Sequence, residues 1–376
     1  MNICLICNEY PPYKCGGIGT FTYELATALT KNGHHVVVVG IYRDVDEDIE
    51  IEGVRVIRLK SWQGKIAFFT NSLRLGYKIK NLIQEEDLDI VESIDFEGIS
   101  AFWPVLTIPI IIRLHGSVIY FAKEMKTRVS KITYLIEKRA LQKSDYICSV
   151  SDYTAQKTKQ IFKLDKEITT IYNGLKIPDE NRCKRDFTKN YLVSFSGSLM
   201  RKKGVLSLAK AWNLVKEKIP EARLKFIGKD TLEDGIFIKE KIYSLVDKQY
   251  HDSLEFTGHV SKESLEALLV ESDLAVYPSI SESFGLAPLE AMALKLPVIF
   301  SEKSAGLELK AKLPNLILVD PLNETGIATN ILKLLNSDSL ESIGALCRQE
   351  VNDNFNVEKL LSENIKFYES CINEFK

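Results

Sequence analysis

"ESFGLAPLEAMALKLPVI", Glu282 to Ile299, sets two carboxylates eight positions apart around a glycine, a proline and a small apolar run. Gly285 breaks the chain after a Ser-Phe step. Pro288 fits the first turn of a helix, where its missing N–H costs nothing. "LEAMAL" continues the helix and "PVIFS" reads as the strand after it. With "LAVYPS" (274–279) upstream, the order is strand, loop, helix, strand, the unit from which parallel sheets are built. Glu282 then lies in the loop and Glu290 early in the helix. Carboxylates that accept from hydroxyls suit a polyol such as ribose or a hexose, and the amides of Phe284, Gly285 and Leu286 suit a phosphate or sugar oxygen. A plainer reading also fits, because acids near a helix N-terminus are favoured electrostatically in any protein.

The same rhythm runs outward along the chain. "NICLIC" is followed by a loop, a helical "TFTYELATALTKNG" with Leu25, Ala28 and Leu29 on one face, and "HHVVVVG". Gly33 is placed to end that helix. β-rich runs follow at "IEGVRVIRL", "LDIVES", "PIIIRLHG", "DYICSVS" and "EITTIYNG". Residues 178–190 are polar, lack apolar period and read as a linker. Beyond them the rhythm restarts with "YLVSFSG", the helical "VLSLAKAWNLVKEK", "ARLKFIG", "LEFTGHV", "SKESLEALLVES", and the opening stretch. Two α/β sandwiches in tandem are expected, over 1–185 and 186–356, with an amphipathic helix at 357–376.

Composition narrows the function classes. The 376 residues suffice for two cores, and 45% hydrophobic with 27% charged residues is ordinary for a globular chain. No apolar run approaches the roughly 18 residues of a membrane span. Residues 1–190 hold 27 Lys+Arg and 24 Asp+Glu, a balance of +3; the rest holds 22 and 27, a balance of −5. Neither half has the basic field of a nucleic-acid binder. Of the seven cysteines, Cys4 and Cys7 form a lone CxxC inside the first apolar run; with no second such pair and no Cys/His spacing, the set argues for a reducing cytoplasm and against a structural zinc site. Cys15 has no visible partner base and reads as inert.

Two more loops follow strands. "CGGIGTF", with Gly16, Gly17 and Gly19, lets backbone approach a ligand and opens a helix whose N-terminus attracts anions; a mere turn fits equally, and the G-x-G-x-x-G dinucleotide spacing is absent. "SGSLMRKKG" places Gly197 before Arg201, Lys202 and Lys203, residues that can pair with a diphosphate; a solvated basic loop is the competing reading. His115 ends a strand in "LHG", where a structural histidine is the default. His34, His35, His251 and His259 carry no clear signal, and the "DLD" at 87–89 is too short to imply a metal.

Taken in order, the glycine loop, "HG", "SG…KKG" and "E-x-F-G-L-x-x-x-E" resemble the group-1 glycosyltransferases, the retaining family 4 enzymes of the GT-B superfamily. The resemblance covers nearly the whole chain. It implies an α/β GT-B fold, two Rossmann-like domains with parallel sheets facing an interdomain cleft, the acceptor domain first and the nucleotide-sugar domain second, with the final helix crossing back to the first. It implies transfer of a hexose from a nucleotide-diphosphate sugar, with UDP-sugar expected, to an acceptor hydroxyl, with no metal and no cofactor. Carried residue by residue, Gly16 and Gly17 would approach the donor diphosphate, His115 would contact the donor sugar, and Gly197, Arg201 and Lys203 would hold the diphosphate. Glu282 would bind the sugar; Phe284, Gly285 and Leu286 would offer amides; Glu290 would hold the ribose. One departure matters: the family often has Arg directly after the glycine of its basic motif, and here that position is Ser198.

The acceptor is less constrained. Residues 60–84 carry five basic and no acidic residues, with Trp62, Phe68, Phe69 and Tyr77; residues 123–143 carry seven basic and two acidic. Such segments suit anionic lipid or a polyprenyl-diphosphate-linked acceptor at the inner face of the plasma membrane; solvated helix faces over buried aromatics are the alternative. By family habit the setting is surface polysaccharide, lipopolysaccharide or glycolipid synthesis. A nucleotide-sugar epimerase and a non-catalytic nucleotide-sugar-binding partner subunit are the rival readings.

Overall fold

The computed structural model describes residues 1–13, 16–183 and 190–375. Cys15 and residues 184–189 of the expected linker lie outside them. Residue contacts divide the chain into Met1–Lys176 with Phe355–Lys376, and Ile177–Asn354. The boundary expected at 185/186 therefore falls at 176/177. Residues 178–183 are tied into the second unit: the Arg348 guanidinium donates to the Pro178 carbonyl at 2.6 Å and to Cys183 Sγ at 3.0 Å, and Arg182 pairs with Glu266 at 2.8 Å.

The first unit holds β1 (Asn2–Ile6), α1 (Gly17–Lys31), β2 (His35–Tyr42), β3 (Glu47–Ile51), β4 (Val54–Lys60), α2 (Ala67–Glu85), β5 (Ile90–Ile94), β6 (Ile110–Leu114), α3 (Val118–Glu124), α4 (Lys131–Lys143), β7 (Tyr146–Ser149), α5 (Asp152–Phe162) and β8 (Thr169–Thr170). The strands pair in the order β3-β4-β2-β1-β5-β6-β7-β8, parallel except for β3 on β4. Strands β1, β5 and β6 are buried almost throughout, the mark of a parallel sheet covered on both faces. The run expected at "IEGVRVIRL" is β4 with the turn before it, and β3 ahead of that turn is a strand the sequence reading does not include. Glu52 and Gly53 both have positive φ, 49° and 79°, and turn the chain between β3 and β4.

The second unit holds β9 (Leu192–Ser196), α6 (Val205–Lys218), β10 (Arg223–Ile227), the hairpin β11 (Leu232–Glu233) and β12 (Ile236–Phe237), α7 (Ile238–Leu245), β13 (Leu254–Gly258), α8 (Lys262–Val270), β14 (Leu274–Tyr277), α9 (Leu286–Ala293), β15 (Val298–Ser301), α10 (Gly306–Lys312), β16 (Ile317–Val319), α11 (Glu324–Leu335) and α12 (Leu340–Phe355). Its main sheet is parallel, in the order β13-β10-β9-β14-β15-β16. The order reverses between β9 and β14, so the loops after those strands diverge and leave a crevice at their carboxyl ends.

The last helix, α13 (Val357–Phe375), belongs to the first unit. Its Asn364 and Tyr368 reach a buried ion pair in the sheet. Arg113 forks onto Glu92 at 2.8 and 2.9 Å and donates to Asn364 Oδ1 at 2.7 Å, while the Tyr368 hydroxyl donates to Glu92 at 2.8 Å. Breaking such a pair from one side leaves a buried charge and costs about 3–5 kcal/mol. Among the described residues, no helix is long and apolar enough to cross a membrane.

Candidate active site

In the second unit, two loops meet at the switch point. The chain leaves β9 through Gly197 (φ 134°), makes a 3-10 turn over Arg201–Lys203 and enters α6 through Gly204 (φ 73°). A Cβ on Gly204 would lie 1.7 Å from the Pro278 carbonyl oxygen, so only glycine permits this approach of the loop after β14. The Lys202 carbonyl accepts from the amides of Ile280 and Ser281, at 2.8 and 3.2 Å, and locks the basic turn to that loop. The result is the pairing of Lys203 Nζ with Glu282 Oε2 at 2.5 Å, across 79 positions of sequence. The Glu282 amide donates to Ser304 Oγ at 3.1 Å and fixes the carboxylate's backbone.

Lys202 stands beside this pair. Burial, then the neighbouring Lys203 charge, bring its ammonium down to about 8, against the pull of Glu282 and Glu233. After Glu282, buried Phe284 anchors the loop and Gly285 turns it at φ 107° into α9. That helix opens with no acid in its first turn. Glu290 lies one turn further on, close enough for its charge to bear on the Tyr277 phenol, which also bonds Ser196 Oγ at 2.8 Å. Lys202, Lys203, Glu282, the α9 N-terminus and Glu290 therefore belong to one crevice edge: two cations, two carboxylates and a helix N-terminus with its positive potential.

Arg201 points elsewhere. Its amide donates to Glu233 at 3.0 Å, and its half-exposed guanidinium lies 3.4 Å from Asp234, both on the hairpin.

In the first unit, His115 follows β6. Its amide and that of Gly116 donate to the buried Asp95 carboxylate at 2.9 and 3.1 Å. The Glu137 carboxylate accepts from Val118 and Ile119 at 2.9 and 3.1 Å and holds the start of α3. The imidazole packs 5.0 Å from the Phe21 ring. Burial, reinforced by the Arg113 charge, brings His115 down to about 3, so it is neutral at physiological pH. Burial pushes Asp95 up to about 7, against its amide bonds and with the help of Glu137.

The glycine loop is built around a carboxylate of the chain itself. Glu9 accepts from the Gly19 amide at 2.8 Å and also from Gly16 and Ile18. A Cβ on Gly16 would stand 2.9 Å from both Glu9 oxygens. Gly16 thus makes room for Glu9, while nothing lies within 4 Å of a Cβ on Gly17. An anion approaching these amides would meet a resident carboxylate. Glu9, Asp95 and Glu137 escape a sequence reading because each accepts backbone amides 7 to 21 positions away, a pattern without a motif.

Two family profiles cover most of the chain: Glycosyltransferase Family 4 over residues 15–177, and Glycosyl transferases group 1 over residues 190–337. The chain belongs to the group-1, family 4 glycosyltransferases. An uncharacterised glycosyltransferase of Methanocaldococcus jannaschii is 24% identical over 98% of each chain. Sucrose-phosphate synthase from Thermosynechococcus elongatus superposes with a TM-score of 0.81 at 19% identity, over 99% of both chains. Anabaena HepE, solved with UDP and glucose, gives 0.75 at 16% identity, over 98% of this chain and 100% of its own. The fold is GT-B, and the protein is a glycosyltransferase.

Proposed function

We propose that this glycosyltransferase moves a hexose from a nucleoside-diphosphate sugar, a UDP-sugar in the first instance, to an acceptor hydroxyl with retention of anomeric configuration. We place it in surface polysaccharide, lipopolysaccharide or glycolipid assembly. The observation that carries the donor assignment is the Lys203–Glu282 pair, held by the Gly204–Pro278 contact at the mouth of α9. The binding of UDP and glucose by HepE supports the same donor class.

In this reading Lys203, with Lys202 beside it, neutralises charge on the departing diphosphate, the largest electrostatic demand of the step. The amides of Gly285 and Leu286 face phosphate or sugar oxygens. Glu290 accepts from the ribose hydroxyls and Glu282 from the sugar. The neutral His115 imidazole is suited to a sugar hydroxyl, which it can meet as donor or acceptor without bringing charge. Glu282 is committed to Lys203 and positions rather than attacks. The two lysines replace a divalent cation in this scheme, so a chelator leaves turnover unchanged.

The test is release of nucleotide from UDP-, GDP-, ADP- and dTDP-sugars by the wild type and Lys203→Gln, with the product anomer read by proton NMR. One donor class should be turned over to the retained anomer, with Lys203→Gln reduced at least tenfold. Turnover undiminished in Lys203→Gln, or an inverted product, would overturn the assignment.

A further inference from the structure

The first unit carries an unpartnered apolar face. On α2 and the turn before it, Ile66, Phe69, Leu73 and Tyr77 recur at helical spacing, and Ile66, Phe69 and Tyr77 stand exposed. On α4, Ile132 and Leu135 are exposed one turn from Arg139. Exposures run from 43% at Phe69 to 69% at Ile132, well beyond scattered surface apolar atoms. Phe102 joins the two faces: the Phe69 ring lies 4.9 Å from it and the Arg139 guanidinium 5.9 Å over it. Val105, the most exposed at 85%, follows Pro104, which packs on Gly76 beside Tyr77. Trp62 lies over Arg74 at 5.1 Å at the entry to α2.

The rim of this face is basic. Lys65, Lys80, Lys131, Lys126 and Arg128 are exposed, and among the described residues none of them is in an ion pair. An apolar strip with aromatic edges and a lysine rim matches the boundary between acyl chains and anionic headgroups. We propose that this face seats the protein on an anionic lipid bilayer, with Ile66, Phe69, Ile132 and Leu135 entering the interface and Lys65 and Lys131 contacting headgroup phosphates. A zwitterionic surface lacks the charge the rim complements, and a protein partner would have to present acids around an apolar strip. The inference stands apart from the donor assignment, since none of these residues is in the donor crevice.

Trp62 supplies the readout. It is 54% exposed, whereas Trp103 and Trp212, the only other tryptophans, are buried. The full-length protein is mixed with vesicles of phosphatidylcholine alone or with phosphatidylglycerol. Co-sedimentation and Trp62 emission are followed for wild type, Lys65→Gln/Lys131→Gln and Ile66→Ser/Leu135→Ser. Binding with a blue shift on anionic vesicles only is expected, about thirtyfold weaker in the lysine pair variant, from about fivefold per charge, and lost in the apolar variant. Both variants should keep the wild-type melting temperature and nucleotide-sugar response, because every substituted side chain is exposed. No partition on anionic vesicles, or partition indifferent to both variants, would overturn the proposal. A concentration-dependent dimer abolished by Ile66→Ser/Leu135→Ser would assign the face to a second copy instead.

Discussion

Asp95 makes the stability of the first unit depend on pH in a direction opposite to most carboxylates. Its carboxyl titrates at about 7 in the fold, against 3.8 for an unperturbed aspartate, because burial outweighs the two amide bonds it accepts. The folded state thus binds the proton more tightly than the unfolded chain. Stability from this group is fully present below about pH 4 and is lost as pH rises through 7. About three pH units at 1.36 kcal/mol each give a loss of about 4 kcal/mol between pH 4 and pH 8. Asp95→Asn removes the ionisation while keeping one oxygen for the amides of His115 and Gly116. The two amides donate to different oxygens, so one of them then faces an NH2 group, at a cost of about 1–3 kcal/mol at pH 4. Urea midpoints of wild type and Asp95→Asn, measured from pH 4 to 8, should therefore cross, the variant becoming the more stable above neutrality. Parallel curves across that range would refute the reasoning and place the native Asp95 titration near its ordinary value.

Other consequences follow from the same geometry. Gly204→Ala forces a left-handed residue, at about 1–2 kcal/mol, and a clash with Pro278; both melting temperature and nucleotide-sugar binding should fall in the full-length protein. Lys202 titrates at about 8 before ligand arrives, and a bound diphosphate favours its protonated form, so donor affinity is full below pH 8 and declines above it, with proton uptake visible by calorimetry in buffers of different ionisation enthalpy. Tyr368→Phe removes a charge-assisted bond to Glu92 and should cost about 1.5–3 kcal/mol, read as a lower urea midpoint. Arg201→Gln should weaken donor binding less than Lys203→Gln, since Arg201 faces the hairpin acids.

Much of the fold was legible in the sequence because a parallel sheet writes itself as short apolar runs between helical periods. "HHVVVVG", "PIIIRLHG" and "YLVSFSG" each fall on a strand. Strand β3 was not, because "EDIEI" is an acidic edge with an exposed alternate face, and edges carry little apolar signal. The domain boundary slipped because polarity at 178–183 reflects surface, while Arg348, 170 positions from Pro178, is what fixes that segment. At the site, the loop positions of Lys203 and Glu282 and the early-helix position of Glu290 followed from glycine, proline and strand order. Their pairing did not, since Lys203 meets Glu282 only through the carbonyl of Lys202 and the missing Cβ of Gly204. The carboxylates that hold the first-unit loops, Glu9, Asp95 and Glu137, leave no trace at all in local spacing.

The claim that Glu282, Lys203 and Glu290 form a donor clamp is tested most directly by a thermal-shift panel of UDP-, GDP-, ADP- and dTDP-sugars on wild type and Glu290→Ala. A ligand present at a hundredfold its Kd stabilises the folded state by about 2.7 kcal/mol. The account predicts a shift with one nucleotide class that Glu290→Ala diminishes. Cooperative melting with no shift from any nucleotide sugar, or a shift that Glu290→Ala leaves whole, would contradict it.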